Sequence, residues 1–475
     1  MPKSVKNALR NSFFQGFGAF GITGLNFVLM LGYARILGPG RLGELTTAQA
    51  HVLVWVALVD LGLSNALIGA LTAAEGGKGL LARQGFRARD IVMRVLVLRA
   101  GGACIGALGV VAIALLRCRV DGALDGDAFR REIAFLPQLF ALVLQHTAIS
   151  YAAFRGRQGL GQFAMLVSTG VTVAIPLWLA SRGSSIATLL VAQSWGGFLA
   201  TLIIALSFWV DPLKRDSRRL ERGYLNRGPW GIEAWRALAR DAWPYALTYA
   251  AIVLWQRFDQ IAVSELLGFE QGGQYAIGVR LAAIPILMAT AVGHALFPDL
   301  QRVGIDAPEK VSVYMGVAVK FMFRYGVILI GVLVILISFA AVPLVPKFKP
   351  GIRLLPWFLP GIWAYWLHSF LTGGLFGLRH YRAVVGCYGV ALAVYAALLY
   401  PLTKVFGLTG VVIASNSFSV ALYFTAARAA KAKGALAQNF SPAAPFTAEE
   451  AVLAGAVRER LFGIASRFSR AGGRG

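Results

Sequence analysis

Polar and ionisable side chains inside long apolar segments are the residues of this chain that could do chemistry. Asp60 lies well inside one such segment. Counting about 100° per residue along a continuous helix places Gln49 within ~20° of Asp60, Ser64 within ~40° and His51 roughly opposite. The pattern predicts a polar stripe suited to a wet cavity wall or to a proton or cation site. The alternative is a buried carboxylate satisfied by neighbouring helices, and the spacing favours neither.

Arginines deep in apolar segments are a second group of candidates, because a charge within hydrocarbon is costly. Arg99 lies deep in the third segment, about 140° around the helix from Arg94. Arg94, Lys320 and Arg324 lie near segment ends, where long basic side chains extend to the membrane surface. Arg99 is therefore the candidate for a cavity wall in this segment.

The seventh and eighth apolar segments carry four more ionisable residues. Arg257 and Asp259 are about 200° apart on a helix, so at most one of them can face a central cavity, and we favour Arg257. Arg280 and His294 fall within ~40° of one face. His294 would suit a proton-linked switch near neutral pH, or a hydrogen-bonded structural role.

Catalytic motifs give little support to an enzyme. The sequence lacks a phosphate loop, a nucleophile elbow and a zinc motif, and its three cysteines have no spacing typical of a disulfide framework or a metal site. Asp121, Asp125 and Asp127 lack the spacing of a calcium loop and are surrounded by arginines. We therefore predict no catalytic residues, no metal and no cofactor.

The elements that must position these residues are membrane helices. The chain has 475 residues, of which 57% are hydrophobic and 14% charged. About 20 apolar residues suffice to cross the bilayer, and runs without alternating polarity favour helices over a barrel. Twelve such segments are predicted, at 11–33, 45–72, 92–116, 132–153, 162–180, 185–210, 241–263, 275–298, 322–345, 353–376, 383–401 and 408–427.

The net charge of +24 is better explained by membrane topology than by nucleic acid, because the basic residues lie between apolar segments instead of forming one solvated face. With the N-terminus and the C-terminus both cytoplasmic, most of the 46 Lys and Arg residues fall on the inner side. The opposite orientation would invert that bias. We predict no nucleic-acid partner.

An internal repeat divides the chain. Residues 37–43 and 267–273 are similar Leu-Gly turns, each of which joins two apolar segments, and Gly183 pairs with Gly407 further on. The predicted domains are a six-helix lobe at 1–210, a basic cytoplasmic linker at 211–235, a second six-helix lobe at 236–430 and a cytoplasmic tail at 431–475. The lobes would be parallel repeats related by a pseudo-two-fold axis along the membrane normal.

The tail contains a predicted amphipathic helix. Thr447 and Glu450 fit a capping box, and apolar residues from Leu453 to Phe468 form one stripe flanked by arginines. Such a helix suits the anionic inner leaflet. The alternative is a solvated, partly disordered tail.

Several short motifs follow one another along residues 1 to about 430. They are Tyr33 to Pro39 followed by Gly43, Asp60 to Leu63, Phe154 to Arg157, Asp259 with Tyr275, and Gly407 to Ala414. In this order they resemble the polysaccharide-export branch of the multidrug/oligosaccharidyl-lipid/polysaccharide exporter superfamily.

The resemblance implies a flippase in the bacterial inner membrane, with two lobes around a cavity that opens alternately inward and outward. It implies a polyprenyl-diphosphate carrying a short glycan as the substrate, with glycan polymerase and export machinery as possible partners. A diphosphate in hydrocarbon needs fixed positive charge, so Arg99, Arg257 and Arg280 are the expected contacts. Gln49, Asp60 and Ser64 would line the polar cavity for the sugars.

Other functions are possible within and beyond this superfamily. A cation-coupled multidrug antiporter usually carries an acidic site in its first span, but residues 11–33 contain no Asp or Glu. A peptidoglycan lipid-precursor flippase usually has two further spans. An integral membrane glycan polymerase or acyltransferase would be expected to have a larger outer loop than residues 117–131.

Overall fold

The computed structural model describes residues 3–64, 67, 71, 88–120, 126–154, 158–219, 232–306, 311–447 and 450–451. In this part of the chain the backbone forms helices joined by short turns, with no β-strand. The predicted all-α fold is therefore confirmed. This outcome is expected for apolar segments, because a helix pairs its backbone groups internally.

The helices of the described part follow one another along the whole chain. They are α1 Lys3–Leu53, α2 Val56–Asp60, α3 Ala88–Val120, α4 Gly126–Ile133, α5 Pro137–Phe154, α6 Gln158–Ser181, α7 Ile186–Arg219, α8 Ile232–Leu267, α9 Phe269–Asp306, α10 Val311–Phe321, α11 Val327–Leu344, α12 Lys349–Ile352, α13 Leu359–Gly377 and α14 Tyr381–Ala432. A π-helical turn, Met322–Gly326, joins α10 to α11.

Seven helical stretches of the described residues are long and apolar enough to cross a membrane. Two of them, Gly21–Asp60 and Tyr381–Ala432, are much longer than the ~20 residues that one crossing needs. Each contains a glycine with non-helical backbone, Gly38 or Gly407, and each covers two of the predicted segments. The chain is a multi-pass membrane protein, and the number of twelve crossings stays a prediction.

The chain divides into two compact units. The first contains residues 1–281, 339–354 and 398–411, and the second contains residues 282–338, 355–397 and 412–475. The predicted lobes follow the sequence repeat, so they do not correspond directly to these compact units. Their boundaries, and the linker between them, stay a prediction.

In the first unit, each copy of the repeated turn contains a glycine with a positive φ angle. Gly38 and Gly268 have φ angles of 73° and 90°, in the left-handed region that glycine adopts without steric cost. Gly38 separates the two halves of α1, and Gly268 separates α8 from α9. Gly183 and Gly407 also match, with φ angles of 76° and 58°. The paired glycines thus have the same sign of φ, and the pseudo-two-fold relation between the lobes stays a prediction.

The two turns also pack against each other through glycine. A Cβ atom on Gly43 would overlap the carbonyl oxygen of Phe269, and a Cβ atom on Gly273 would overlap the carbonyl oxygen of Pro39. Each copy thus brings a glycine against the backbone of the other copy. The spacing of the glycines in the repeat is therefore explained by the close approach of the two turns.

The second apolar segment is interrupted, and this corrects the predicted polar stripe. A turn separates α1 from the short helix α2, which ends at Leu61 and Gly62 with φ angles of 46° and 66°. Left-handed residues end a helix, so the angular spacing of about 100° between successive side chains does not continue past them. Gln49 and Ser64 consequently lie in different surroundings.

In the second unit, Lys320 does not extend to the membrane surface as predicted. Its side chain is buried, and Nζ lies 2.6 Å from Glu450 Oε2 and donates to the carbonyl oxygen of Pro445 at 3.0 Å. Arg324 donates to the carbonyl oxygen of Ala444 and stacks on the Phe446 ring. These two basic residues hold the segment after α14 against α10 and the π-helical turn, because a buried charge requires a partner.

The capping box predicted from Thr447 and Glu450 is present. The backbone N–H of Thr447 donates to Glu450 Oε2 at 2.7 Å, and the backbone N–H of Glu450 donates to Thr447 Oγ1 at 3.3 Å. Burial disfavours the Glu450 carboxylate, but the hydrogen bonds from Lys320 and Thr447 outweigh burial and hold the pKa of Glu450 below its usual range. The amphipathic stripe that follows lies outside the described residues.

Candidate functional site

A buried polar cluster in the first unit is built around one carboxylate oxygen. Asp60 Oδ1 lies 2.8 Å from Arg99 Nη2, 2.6 Å from Ser64 Oγ and 3.1 Å from His146 Nδ1. Arg99 also donates to Thr147 Oγ1 at 2.7 Å and to Ser64 Oγ at 2.8 Å. Three segments of the chain, residues 60–64, α3 and α5, thus meet at this oxygen, so their relative positions are fixed by hydrogen bonds.

Local backbone features place the members of this cluster. Asp60 is the last residue of α2, and the left-handed Leu61 that follows turns the chain away from it. A Cβ atom on Gly102 of α3 would overlap the carbonyl oxygen of Leu58, so glycine lets α3 pass directly beside α2. That close approach brings Arg99, three residues earlier on α3, to the carboxylate.

The cluster is close to neutral as long as His146 is uncharged. Arg99 is fully buried and Asp60 nearly so, and their opposite charges compensate each other. Each would be costly to bury alone, since an isolated ion loses its hydration. In this conformation Arg99 is therefore a partner of Asp60, and it is not an accessible cavity cation. The sequence allowed Asp60 to line a wet cavity or to be a buried carboxylate satisfied by neighbouring helices. Its contacts in this conformation match the second interpretation.

Two further arginines lie on the neighbouring helices α8 and α9. Arg257 is partly buried and Arg280 is exposed. Arg257 lies within electrostatic reach of Arg280, and Tyr249 lies within reach of Asp60, Arg99 and Arg257. Neither Arg257 nor Arg280 forms a salt bridge with a carboxylate of the described residues. The two positive charges are thus near enough to influence each other.

Asp259 does not neutralise this pair by direct contact. Its carboxylate accepts a hydrogen bond from Tyr275 Oη at 2.6 Å and another from the backbone N–H of Gln260 at 2.9 Å, and it is buried. Asp259 and Tyr275, paired in the sequence motif, are therefore in contact. The assignment of Asp259 to a coupling role stays a prediction.

Of the remaining predicted site residues, Ser64 belongs to the cluster and Gln49 does not. Gln49 Nε2 donates to Gln193 Oε1 on α7 at 2.8 Å, which gives Gln49 a partner of its own. Ser64 joins the cluster, as stated above. The side chain of His294 lies outside the described residues. The role of each residue in substrate binding stays a prediction.

Sequence reasoning missed His146, Thr147 and Tyr249. Gln145, His146 and Thr147 form a polar run within the apolar segment 132–153, which was a usable signal. Tyr249 gave no comparable signal, because an aromatic residue in an apolar helix is ordinary. Their involvement depends on which faces of α5 and α8 are turned toward Asp60, and one sequence does not fix helix rotation.

A second ionic network in the first unit lies near the repeated turns. His51 Nδ1 lies 2.8 Å from Glu132 Oε2, and Arg117 contacts Glu132 at 3.3 Å and Glu265 at 2.6 Å. Glu265 lies in α8, just before Gly268, whereas the other three residues belong to the first copy of the repeat. This network ties α3 and α4 to the end of α8.

Metal binding has no geometric support in the described residues, which contain no group of three or more His, Cys, Asp or Glu side chains placed to hold an ion. The charged groups of the buried cluster are occupied by one another. The accessible chemistry is that of Arg257 and Arg280, whose guanidinium groups suit phosphate or carboxylate oxygens.

Solved structures share this fold at low sequence identity. The chain is similar to the lipid II flippase MurJ in an inward closed conformation, with 13% identity, a TM-score of 0.66 and 89% coverage of each chain. It is similar to a mutant of the MATE transporter VcmN from Vibrio cholerae, with 15% identity, a TM-score of 0.63 and coverage of 90% of this chain and 96% of that one. No curated protein sequence matches the chain.

The family comparison covers more than half of the sequence. The model of the family described as polysaccharide biosynthesis protein matches residues 8–303. This range includes α1 through most of α9 and therefore the buried cluster, Arg257, Arg280 and both repeated turns. The chain, a multi-pass membrane protein with the fold of the MurJ and MATE transporters, belongs to the polysaccharide biosynthesis protein family.

Proposed function

We propose that this protein flips a polyprenyl-diphosphate-linked oligosaccharide from the cytoplasmic to the outer leaflet of the bacterial inner membrane. The movement would occur by alternating access and would serve the assembly of a surface polysaccharide. The proposal rests on the family, on the flippase and transporter fold, and on the site in the first unit.

The observation that carries the proposal is the pair of arginines, Arg257 and Arg280. Both belong to mostly apolar helices, neither side chain is fully covered by its neighbours, and neither is in a salt bridge with a described carboxylate. Two like charges held near each other repel, so the arrangement is costly unless an anion binds between them. A diphosphate carries two or more negative charges and accepts forked hydrogen bonds from guanidinium groups.

The buried cluster supports this assignment, because its carboxylate is paired within the cluster and does not contact the arginine pair. Asp60 is the carboxylate nearest to Arg99 and is committed to that residue at 2.8 Å, while Asp259 is committed to Tyr275. Polar side chains such as Ser64 and Gln49 would suit the hydroxyl groups of a sugar.

The network of His51, Arg117, Glu132 and Glu265 supports alternating access. It joins helices from both copies of the repeat, close to Gly268. On the topology in which both termini are cytoplasmic, this region lies at the outer face. Outward release would then require Arg117 and Glu265 to separate, and a surface ion pair of this kind costs only about 0–1 kcal/mol to break.

Substitution of the arginines tests the proposal. Arg257→Ala and Arg280→Ala, each at normal membrane levels, should abolish or strongly reduce the surface glycan and leave the lipid-linked glycan facing the cytoplasm. Arg353→Ala is the matched control, since Arg353 is an exposed arginine outside the site. Normal surface glycan in both site variants would rule out the arginine mechanism, and normal glycan in a deletion strain would rule out the function.

A cation-coupled multidrug antiporter is the alternative, because transporters of the MATE group share the fold. Deletion would then sensitise cells to cationic dyes without changing the surface glycan. An accessible arginine pair is a poor site for a cation, which favours the flippase. An integral membrane glycan polymerase or acyltransferase stays a more distant alternative.

The proposed partners follow from the substrate and the tail. The lipid-linked glycan would be delivered to glycan polymerase and export machinery at the outer leaflet. The basic tail after Ala451 would bind anionic lipids of the inner leaflet, because clustered Lys and Arg residues are attracted to that surface.

A further inference from the structure

A strap formed by residues 433–447 and Glu450 covers two basic side chains of the second unit, Lys320 and Arg324. Lys320 lies near the end of α10, and Arg324 lies in the π-helical turn that follows. A Cβ atom on Gly316, one turn before Lys320, would lie 2.7 Å from Glu450 Oε1, so a glycine makes room for the carboxylate. Within the described residues, every polar contact of the two basic side chains comes from the strap. The partners are Glu450 Oε2 and the carbonyl oxygens of Ala443, Ala444 and Pro445.

The strap also supplies aromatic rings to these two cations. The Phe440 ring centroid lies 5.6 Å from Lys320 Nζ, and the Phe446 ring centroid lies 4.9 Å from Arg324 Cζ. The strap thus presents oxygen atoms and ring faces, the groups that a cationic site binds. If the strap moved away, Lys320 and Arg324 would have no counter-ion from the part of the chain that the structure describes, and a buried charge requires one.

The two cations precede a helix that suits the hydrocarbon core of a bilayer. This helix, α11, contains no charged residue and begins three residues after Arg324. Its 18 residues extend about 27 Å at 1.5 Å per residue, close to the ~30 Å of a hydrocarbon core. Arg324 therefore lies close to the level of the lipid headgroups. Four apolar side chains of α11 are more than half exposed: Ile328, Ile335, Leu336 and Phe339. A ligand with an anionic headgroup and a long apolar chain would fit both features.

From these contacts we propose that Lys320 and Arg324 form a second site for a lipid diphosphate, which the strap covers as an autoinhibitory substitute for the headgroup. The inference rests on the proposed function, because it takes the substrate to be a polyprenyl diphosphate. The site belongs to the second unit, whereas Arg257 and Arg280 belong to the first. On the topology in which both termini are cytoplasmic, it faces the inner leaflet, where the substrate is received. Strap and headgroup use the same cations, so each must displace the other.

Binding of farnesyl diphosphate to the purified full-length protein in detergent tests the covering role of the strap. The measurement is made in the Arg257→Ala, Arg280→Ala background, so that the site of the first unit does not contribute. Glu450→Gln in this background should raise the affinity by about tenfold or more, the equivalent of one hydrogen bond to a charged group. Glu270→Gln, at an exposed glutamate of the first unit, is the matched control and should leave the affinity unchanged. An unchanged affinity in Glu450→Gln would overturn the inference and leave the proposed function standing.

Removal of the cations tests the site itself. Lys320→Met added to Glu450→Gln should abolish the gain, and it leaves no uncompensated charge, because both partners of the buried pair are replaced. Arg324→Gln should reduce the gain in the same way. Lys433→Met, at an exposed lysine after α14, should keep it. A gain that survives Lys320→Met would show that farnesyl diphosphate binds elsewhere, which would overturn the site.

The reciprocal effect is measurable in wild type. Since binding and strap release are coupled in both directions, farnesyl diphosphate should speed cleavage after Phe440 and Phe446, by a protease specific for aromatic residues, by about fivefold or more. Inorganic pyrophosphate and phosphatidylglycerol at the same concentration should act much less. Equal release by either would overturn the assignment to a lipid diphosphate. Release by farnesyl diphosphate alone, together with normal surface glycan in the deletion strain, would support the site and overturn the proposed function.

Discussion

Removal of the Asp60 carboxylate should be among the most destabilising single changes in the first unit. In Asp60→Ala, the guanidinium of Arg99 stays fully buried but loses its counter-ion, and Ser64 and His146 lose their shared acceptor. The hydrogen bond from Arg99 to Thr147 at 2.7 Å remains, but it does not supply negative charge. An uncompensated buried cation is left behind.

The expected loss is about 3–5 kcal/mol, the range for breaking a buried ion pair by removing one partner. The upper part of this range is expected, because one oxygen serves three donors. Asp127→Ala is the matched control, since the contact of Asp127 with Arg130 is 3.8 Å long and lies between exposed side chains. An exposed pair contributes about 0–1 kcal/mol.

Thermal unfolding of the purified protein in detergent is the measurement. Asp60→Ala should lower the midpoint by several degrees and Asp127→Ala by much less. The double variant Asp60→Leu with Arg99→Met should recover most of the loss, because replacing both partners removes the unpaired charge. If Asp60→Ala unfolds at the same temperature as Asp127→Ala, the ion pair is not buried and the description of the cluster is incorrect.

Two further predictions concern packing and the tail. Gly43→Ala should sharply reduce the amount of folded protein in the membrane, because the added Cβ atom would overlap the Phe269 carbonyl oxygen. Gly40→Ala should be tolerated, because the space around Gly40 is open. Equal yields of the two variants on size-exclusion chromatography would contradict this packing. Lys320→Met should detach the segment that leads to Glu450 and increase the cleavage of that segment by protease, and protection equal to wild type in the variant would refute the contact. Because the pKa of Glu450 is lowered in the folded protein, the wild-type segment should stay protected above about pH 4.3 and lose its protection at lower pH.

Helices and the repeated turn could be predicted from the sequence because their causes are local. Long apolar segments require internally paired backbone, and a Leu-Gly sequence at a helix junction suits a left-handed residue. Gly38 and Gly268 both have this conformation. The family resemblance rested on the same motifs, and it agrees with the family match and the shared fold.

The site could be predicted only in part, because its geometry is set by non-local packing. Asp60 and Arg99 were singled out separately, but their pairing depends on Gly102 bringing α3 against α2. The stripe through Gln49 failed because a turn and Leu61 interrupt the helix, and neither has a strong sequence signal. The contact of His146 with Asp60 depends on the rotation of α5, which the sequence does not fix.

The reciprocal contact of the two repeated turns has a consequence for how such a chain can originate by gene duplication. Gly43 meets the backbone of the second copy and Gly273 meets the backbone of the first, so the interface uses the same patch twice and is self-complementary. Two identical polypeptides could form this contact before any fusion. After such a fusion, charged positions such as Arg35 and Glu265 could diverge, whereas a side chain at either glycine would damage both halves.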